Sequence, residues 1–273
     1  MAAASRSKRS VSSQRALPVR SGRSAGHALI IFAKAPEPGQ VKTRLSPPLT
    51  SDQAARLHEA FVLDSVRAAQ SVHGVTQWLS CAPSTTHPFF RGLTRRFRLR
   101  LLTQTGETLG ERMASALRQA LDAGATRVAL IGTDVPTLPA PIIRDAFRLL
   151  RRSDVVLGPA CDGGYYLVGV SRRVPQIFDE IPWGRSTVLE ATLARINRLG
   201  LSCRLLPFWY DVDTLPSLRL LAAHLATLRR ATGSKGNRTP SATARWCAAW
   251  TQAQNTKAPG RARGPRRVRR SSR

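Results

Sequence analysis

The sequence predicts an α/β fold, a three-layer α/β/α domain on a mainly parallel sheet. Two observations carry this. Short apolar runs rich in β-formers alternate with longer segments whose apolar residues recur at helical spacing. The first such run, ALIIFA at 28–33, lacks polar alternation, as expected of a strand covered on both faces. At 42% hydrophobic residues over 273 positions, the chain can bury a large core.

After ALIIFA, residues 51–71 show helical spacing through Leu57, Phe61, Val62 and Val66, with Thr50 or Ser51 as cap. VTQWLSC (75–81) and FRLRLL (97–102) read as strands. Residues 108–123 form a helix with Leu109, Met113, Leu117 and Leu121 on one face, and Thr108 with Glu111 makes a capping-box pattern. RVALIG (127–132) is a strand, and 139–152 a helix with prolines only near its start. DVVLGPA (154–160) and YYLVGV (165–170) are strands. Residues 186–199 are helical and Gly200 ends them, LSCRLLP (201–207) is a strand, and 213–229 is the last helix. In such a sheet ligands sit beyond the carboxyl ends of strands, which directs attention to the loops after 28–33, 127–132, 154–160 and 201–207.

Charge divides the chain differently. The net charge is +27, yet residues 1–26 hold 6 Lys/Arg and residues 229–273 hold 13, with no acidic residue in either segment. The expected organisation is a basic disordered tail over 1–26, an α/β domain over 27–228 and a second basic disordered tail over 229–273. Nucleic acid is expected to engage the tails at most. The Arg/Ser-rich start also suits a transit peptide but lacks the apolar run of a secretory signal. No run of 18 apolar residues exists, so no membrane span is expected. The scattered cysteines 81, 161, 203 and 247 lack zinc spacing; the first three are expected to pack as small hydrophobes in a reducing, cytoplasmic setting.

The loops carry the candidate chemistry. AKAPEPGQVKTRL places Lys34, Lys42 and Arg44 after the first strand; on an extended segment Lys42 and Arg44 would point to one side, fit for a di- or triphosphate or simply solvated. Neither a Walker loop nor a GxGxxG fingerprint is present. Asp134, just past RVALIG, either holds a divalent cation or caps a turn. In CDGGYY, Asp162 either makes a hairpin turn or acts on a sugar or as a base, while Gly163 and Gly164 permit close approach of a ligand. Tyr165 and Tyr166 would face opposite sides, one in the core and one at the site. Asp213, with Asp211 two residues before it, is either a helix cap or a second metal ligand. Trp183 either covers the sheet or stacks on a sugar or base. The histidines form no cluster, and no Ser/His/Asp arrangement can be argued.

In order, FAKAPEPGQVKTRL, TLGERM, GTDVPTL, LGPACDGGYYLVGV, IPWGRSTVL and WYDVDTLPSL resemble the DUF2064 family over about residues 28–224. That family is described as glycosyltransferases of a nucleotide-diphospho-sugar transferase (GT-A-like) fold, and some members are named for arsenosugar biosynthesis. The resemblance implies a nucleotide site beside the first strand, with Asp134 and Asp213 at metal-binding positions and Mg²⁺ or Mn²⁺ as cofactor. Three departures stand out: the DxD of many such enzymes is replaced by GTDVP, Gln40 stands where a basic residue is expected, and Cys161 where an acidic one is. The expected activity is sugar transfer from a nucleotide-diphosphate sugar to a small acceptor, with Asp162 as base and Gly163, Gly164, Tyr165 and Trp183 lining the sugar or acceptor site. Nucleotidyl transfer from an NTP, releasing pyrophosphate, is the alternative, since the AKxPxxGxxKTRL-like loop also resembles guanylyltransferases. Oligomeric state is not legible.

Overall fold

The computed structural model describes residues 26–171, 176–232 and 240–257. Among them, strands β1 (His27–Lys34), β2 (Thr76–Ala82), β3 (Arg100–Thr103), β4 (Arg127–Gly132), β5 (Val155–Pro159), β6 (Tyr165–Ser171) and β7 (Cys203–Leu205) form one sheet, in the order β3-β2-β1-β4-β6-β5-β7. β1 pairs in parallel with β2 and β4, β2 with β3, and β5 with β7. β6 alone is antiparallel, running between β4 and β5. The carboxyl ends of β1, β4, β5 and β7 therefore share one edge, where β6 begins.

The helices are α1 (Ser51–Gln70), α2 (Pro88–Thr94), α3 (Leu109–Asp122), α4 (Ala140–Leu149), α5 (Val188–Arg198), α6 (Leu215–Thr232) and α7 (Ser241–Lys257). Strand alternation divides the core into two faces. On β1, Leu29 and Ile31 face α1, α2 and α4 through Val62, Phe90 and Ile143. Ala28 and Ile30 face α3 and α5 through Met113, Leu117 and Ile196. The three-layer α/β/α expectation is met. Thr50 caps α1, its side chain accepting from the Gln53 N–H while the Gln53 side chain accepts from Thr50 N–H. Thr108 caps α3 as expected, its side chain accepting from Glu111 N–H, and the Glu111 carboxylate accepts from the N–H of Glu107 at 2.8 Å.

The expected disordered tail over 229–273 is corrected at the residues described, 229–232 and 240–257. α6 runs to Thr232, and α7 packs with α1 and α6 in a third apolar cluster of Leu57, Phe61, Leu221, Leu225, Ala244 and Cys247. The physical reason is a stripe hidden in polar sequence: Thr243, Trp246, Cys247 and Trp250 recur at helical spacing. Asp64 on α1 then anchors the start of α7, its Oδ1 accepting from Ala242 N–H and its Oδ2 from Thr243 N–H, at 3.2 and 2.7 Å. A carboxylate there satisfies orphan donors and the helix dipole together. The expected tail over 1–26 lies outside the described residues except Gly26, as do 233–239 and 258–273 of the second. Among the described residues no helix is long and apolar enough to cross a membrane.

α2 is an element the sequence reading left unassigned. It starts at Pro88 and is only seven residues long, so its periodicity is hardly visible. Cys161 is also corrected: it is exposed, on the connection after β5, where its N–H donates to Trp209 O. Cys81 is buried and Cys203 half-buried.

Candidate functional site

A cavity of about 790 Å³ opens at the shared carboxyl edge. The end of β1 brings Lys34, the loop after it Arg44, the loop after β4 Asp134, the β5–β6 connection Asp162, and the segment after β7 Asp211 and Asp213. A second cavity of the same volume lies between α6 and α7; its lining is mainly apolar, with Leu225, Ala248 and Trp250, and includes none of the sequence-predicted site residues.

Lys42 is the hub. The expected extended segment is replaced by a left-handed residue at 42 (φ 51°) and a 3₁₀ turn over Thr43–Leu45. This breaks the period of two, so Lys42 and Arg44 part: Arg44 stays exposed at the cavity, and Lys42 turns inward. Val41 and Leu45, both buried, pin the turn from either side. The Lys42 stem crosses Phe61, with Nζ 5.0 Å from the ring centre. Nζ donates to Asp134 Oδ1 at 2.5 Å, to Asp213 Oδ1 at 2.8 Å and to Val212 O at 2.8 Å. A backbone bond from Val212 N–H to Asp134 O (2.9 Å) ties the two acidic loops together.

The electrostatics follow. Burial opposes the charge on Lys42, but Asp134 and Asp213 outweigh it and hold its pKa above the ordinary lysine value. Burial likewise opposes the charge on Asp134, yet Lys42, with a smaller effect from His58, holds its pKa below the ordinary carboxylate value. Asp211 is raised by burial first, then by the neighbouring charge of Asp162 and Asp213. His58 on α1, 5% exposed, has its pKa lowered chiefly by burial; Nε2 bonds the Lys34 carbonyl at 3.0 Å, and Nδ1 has no partner among the described residues. Sequence reasoning passed over His58, although a histidine on the apolar face of α1 was a usable signal.

The cap readings of both aspartates give way. Asp134 makes its side-chain bond to Lys42. The start of α6 is served by Thr214 and Ser217, the Ser217 hydroxyl accepting from Asp213 and Thr214 N–H. The turn reading of Asp162 holds as well as its place at the cavity: Oδ1 accepts from Gly164 N–H at 2.8 Å. Gly163 is corrected. It has φ +89°, and a Cβ there would stand 1.9 Å from Ser186 O, so it is glycine to let the loop pass against the start of α5 rather than to admit a ligand. Gly164 does line the cavity. Tyr165 and Tyr166 diverge: Tyr166 is buried against the α4 side and donates to Pro207 O at 2.8 Å, while Tyr165 stands edge-on to Trp183 at 6.3 Å. Trp183 is both core and wall, since it packs on Gly110 and Phe178 and also borders the cavity. Lys34 Nζ, exposed, donates to Gln40 O at 2.9 Å.

Two carboxylate oxygens and one carbonyl thus converge on one point. An all-oxygen set of this kind suits a hard divalent cation that completes its shell with substrate oxygens and water, so the residues present fit Mg²⁺ or Mn²⁺. Among the described residues no cluster of three or more His, Cys, Asp or Glu side chains is arranged to hold a metal by itself.

With this geometry in view, the likeness to known proteins is informative. The model of the family described as "Uncharacterized protein conserved in bacteria (DUF2064)" matches residues 65–185. A solved protein from Desulfovibrio desulfuricans G20, provisionally named a nucleotide-diphospho-sugar transferase, is 32% identical, with a TM-score of 0.70 over 84% of this chain and 96% of its own. The chain belongs to the DUF2064 family and has the nucleotide-diphospho-sugar transferase-like α/β fold. CMP:2-keto-3-deoxy-manno-octonic acid synthetase complexed with CTP is 13% identical, with a TM-score of 0.49 over 74% of this chain and 99% of its own. No curated protein matches.

Proposed function

We propose that this chain is a transferase that binds a nucleotide-diphosphate sugar and passes the sugar to a small acceptor. The observation that carries this reading is the Lys42–Asp134–Asp213 cluster at the wall of a cavity that Lys34 and Arg44 also line. The name of the Desulfovibrio relative agrees with it.

In this reading Arg44 and Lys34 grip the diphosphate, the first as a fork and the second as a point charge. Asp134 and Asp213 would hold Mg²⁺ or Mn²⁺, which supplies charge neutralisation for the leaving diphosphate. Asp162 accepts the proton of the acceptor hydroxyl as its oxygen bonds the anomeric carbon and the bond to the diphosphate oxygen breaks. Tyr165, whose phenol is raised well above its ordinary value by burial, stays protonated and serves with Trp183 and Gly164 as the wall for sugar or acceptor.

The test is product analysis with sugar nucleotides of uridine, guanosine and thymidine and, separately, with NTPs. Release of a nucleoside diphosphate supports sugar transfer. Release of pyrophosphate from an NTP replaces it with nucleotidyl transfer, which a polyphosphate grip would serve equally well.

A further inference from the structure

Lys42 stands where a cation is wanted. Its ammonium has three protons, and the structure gives it three oxygen acceptors, at 2.5, 2.8 and 2.8 Å. The side chain is 3% exposed, while Asp134 and Asp213 remain 46% and 35% exposed. A divalent ion at the same point would need the same two carboxylate oxygens at about 2.1 Å, a small contraction from the present distances. Ion and ammonium cannot both occupy it, because two positive charges would meet with little water between them.

We propose that Lys42 is a built-in competitor for the divalent cation: it fills the Asp134–Asp213 site in the free protein and yields it when a polyphosphate arrives to accept the ammonium. The inference rests on the proposed metal role of the two aspartates and adds what keeps their site closed. Without a phosphate, displacing Lys42 strands a buried ammonium, and that opposes metal entry. With a phosphate in the cavity, the ammonium exchanges one anion for another. The hinge is local, since residue 42 already lies in the left-handed region and Thr43 and Arg44 beyond it are exposed. Metal and polyphosphate are therefore coupled through one side chain, and the coupling is reciprocal.

The experiment is a calorimetric titration of the full chain with Mn²⁺ and no nucleotide. Wild type, Lys42→Met, and Lys42→Met combined with Asp134→Asn are compared, each with a melting curve to show that it is folded. Lys42→Gln, which keeps a donor but no charge, stands in if the methionine variant does not fold. The expected result is Mn²⁺ affinity at least ~10-fold higher in the Lys42 variant than in wild type, with the gain abolished by Asp134→Asn. Equal affinity in wild type and variant, or no binding by either, overturns the proposal. Nucleotide binding is not read here, so a failure of the proposed sugar transfer leaves this result interpretable.

Discussion

Helix α1 touches two charge clusters built from the same residue types. Beside the start of α7, Asp64 is 2% exposed, and its oxygens are taken by the N–H groups of Ala242 and Thr243 and by Arg67 at 2.9 Å. Beneath the cavity, Asp134 and Asp213 each give one oxygen to Lys42 and stay 46% and 35% exposed. The first cluster has spent its acceptors on the protein. The second keeps acceptor capacity facing a cavity. Saturation, rather than charge, separates a structural carboxylate from a functional candidate.

That contrast can be broken by substitution. Asp64→Ala should produce the largest change, a loss of about 3–5 kcal/mol in denaturant unfolding, because it strips a buried carboxylate from its donors. Turnover per folded molecule should be unchanged. Asp134→Asn should act mainly on activity: nucleoside diphosphate release falls roughly 100-fold, about 2.7 kcal/mol, while the melting temperature falls less than in Asp64→Ala. Arg44→Ala should raise the apparent Kd for a nucleoside diphosphate about tenfold, since its guanidinium is exposed at the cavity.

Smaller again is the pH signature of the Lys42 cluster. The raised pKa of Lys42 means its share of stability is full below 10.5 and lost as pH rises through the raised value. The lowered pKa of Asp134 means its share is full above 3.8 and lost as pH falls through the lowered value. Melting curves against pH should show both losses in wild type and neither in Lys42→Met. Cys161→Ser should change nothing in stability or turnover, because the residue is exposed and the substitution keeps its backbone bond to Trp209 O.

The sheet was legible because its strands are continuous apolar runs, and ALIIFA and RVALIG are paired neighbours in the fold. The acidic tips Asp134 and Asp213 were legible because the carboxyl ends of parallel strands collect ligands. What those tips touch was not. Lys42 meets Asp134 and Asp213 across 92 and 171 residues of chain, and nothing local announces that its side chain turns inward. The left-handed conformation at a lysine likewise has no sequence cue of the kind a glycine gives. α7 was missed for a related reason. Its basic surroundings masked a short apolar stripe, and its anchor, Asp64, lies 178 residues away from Ala242. Gly163 was read as a ligand's glycine because its real neighbour, Ser186, is also distant in sequence.

The central claim is that the cavity at the carboxyl edge binds a nucleoside diphosphate with help from Asp134 and Asp213. The most direct test is calorimetry of UDP, GDP and dTDP against the full chain, with Mn²⁺ and with EDTA, beside the Asp134→Asn variant. The account predicts that at least one of the three binds in Mn²⁺, and that its binding is lost both in EDTA and in the variant. Binding of none of them, or binding indifferent to both EDTA and Asp134→Asn, would contradict it.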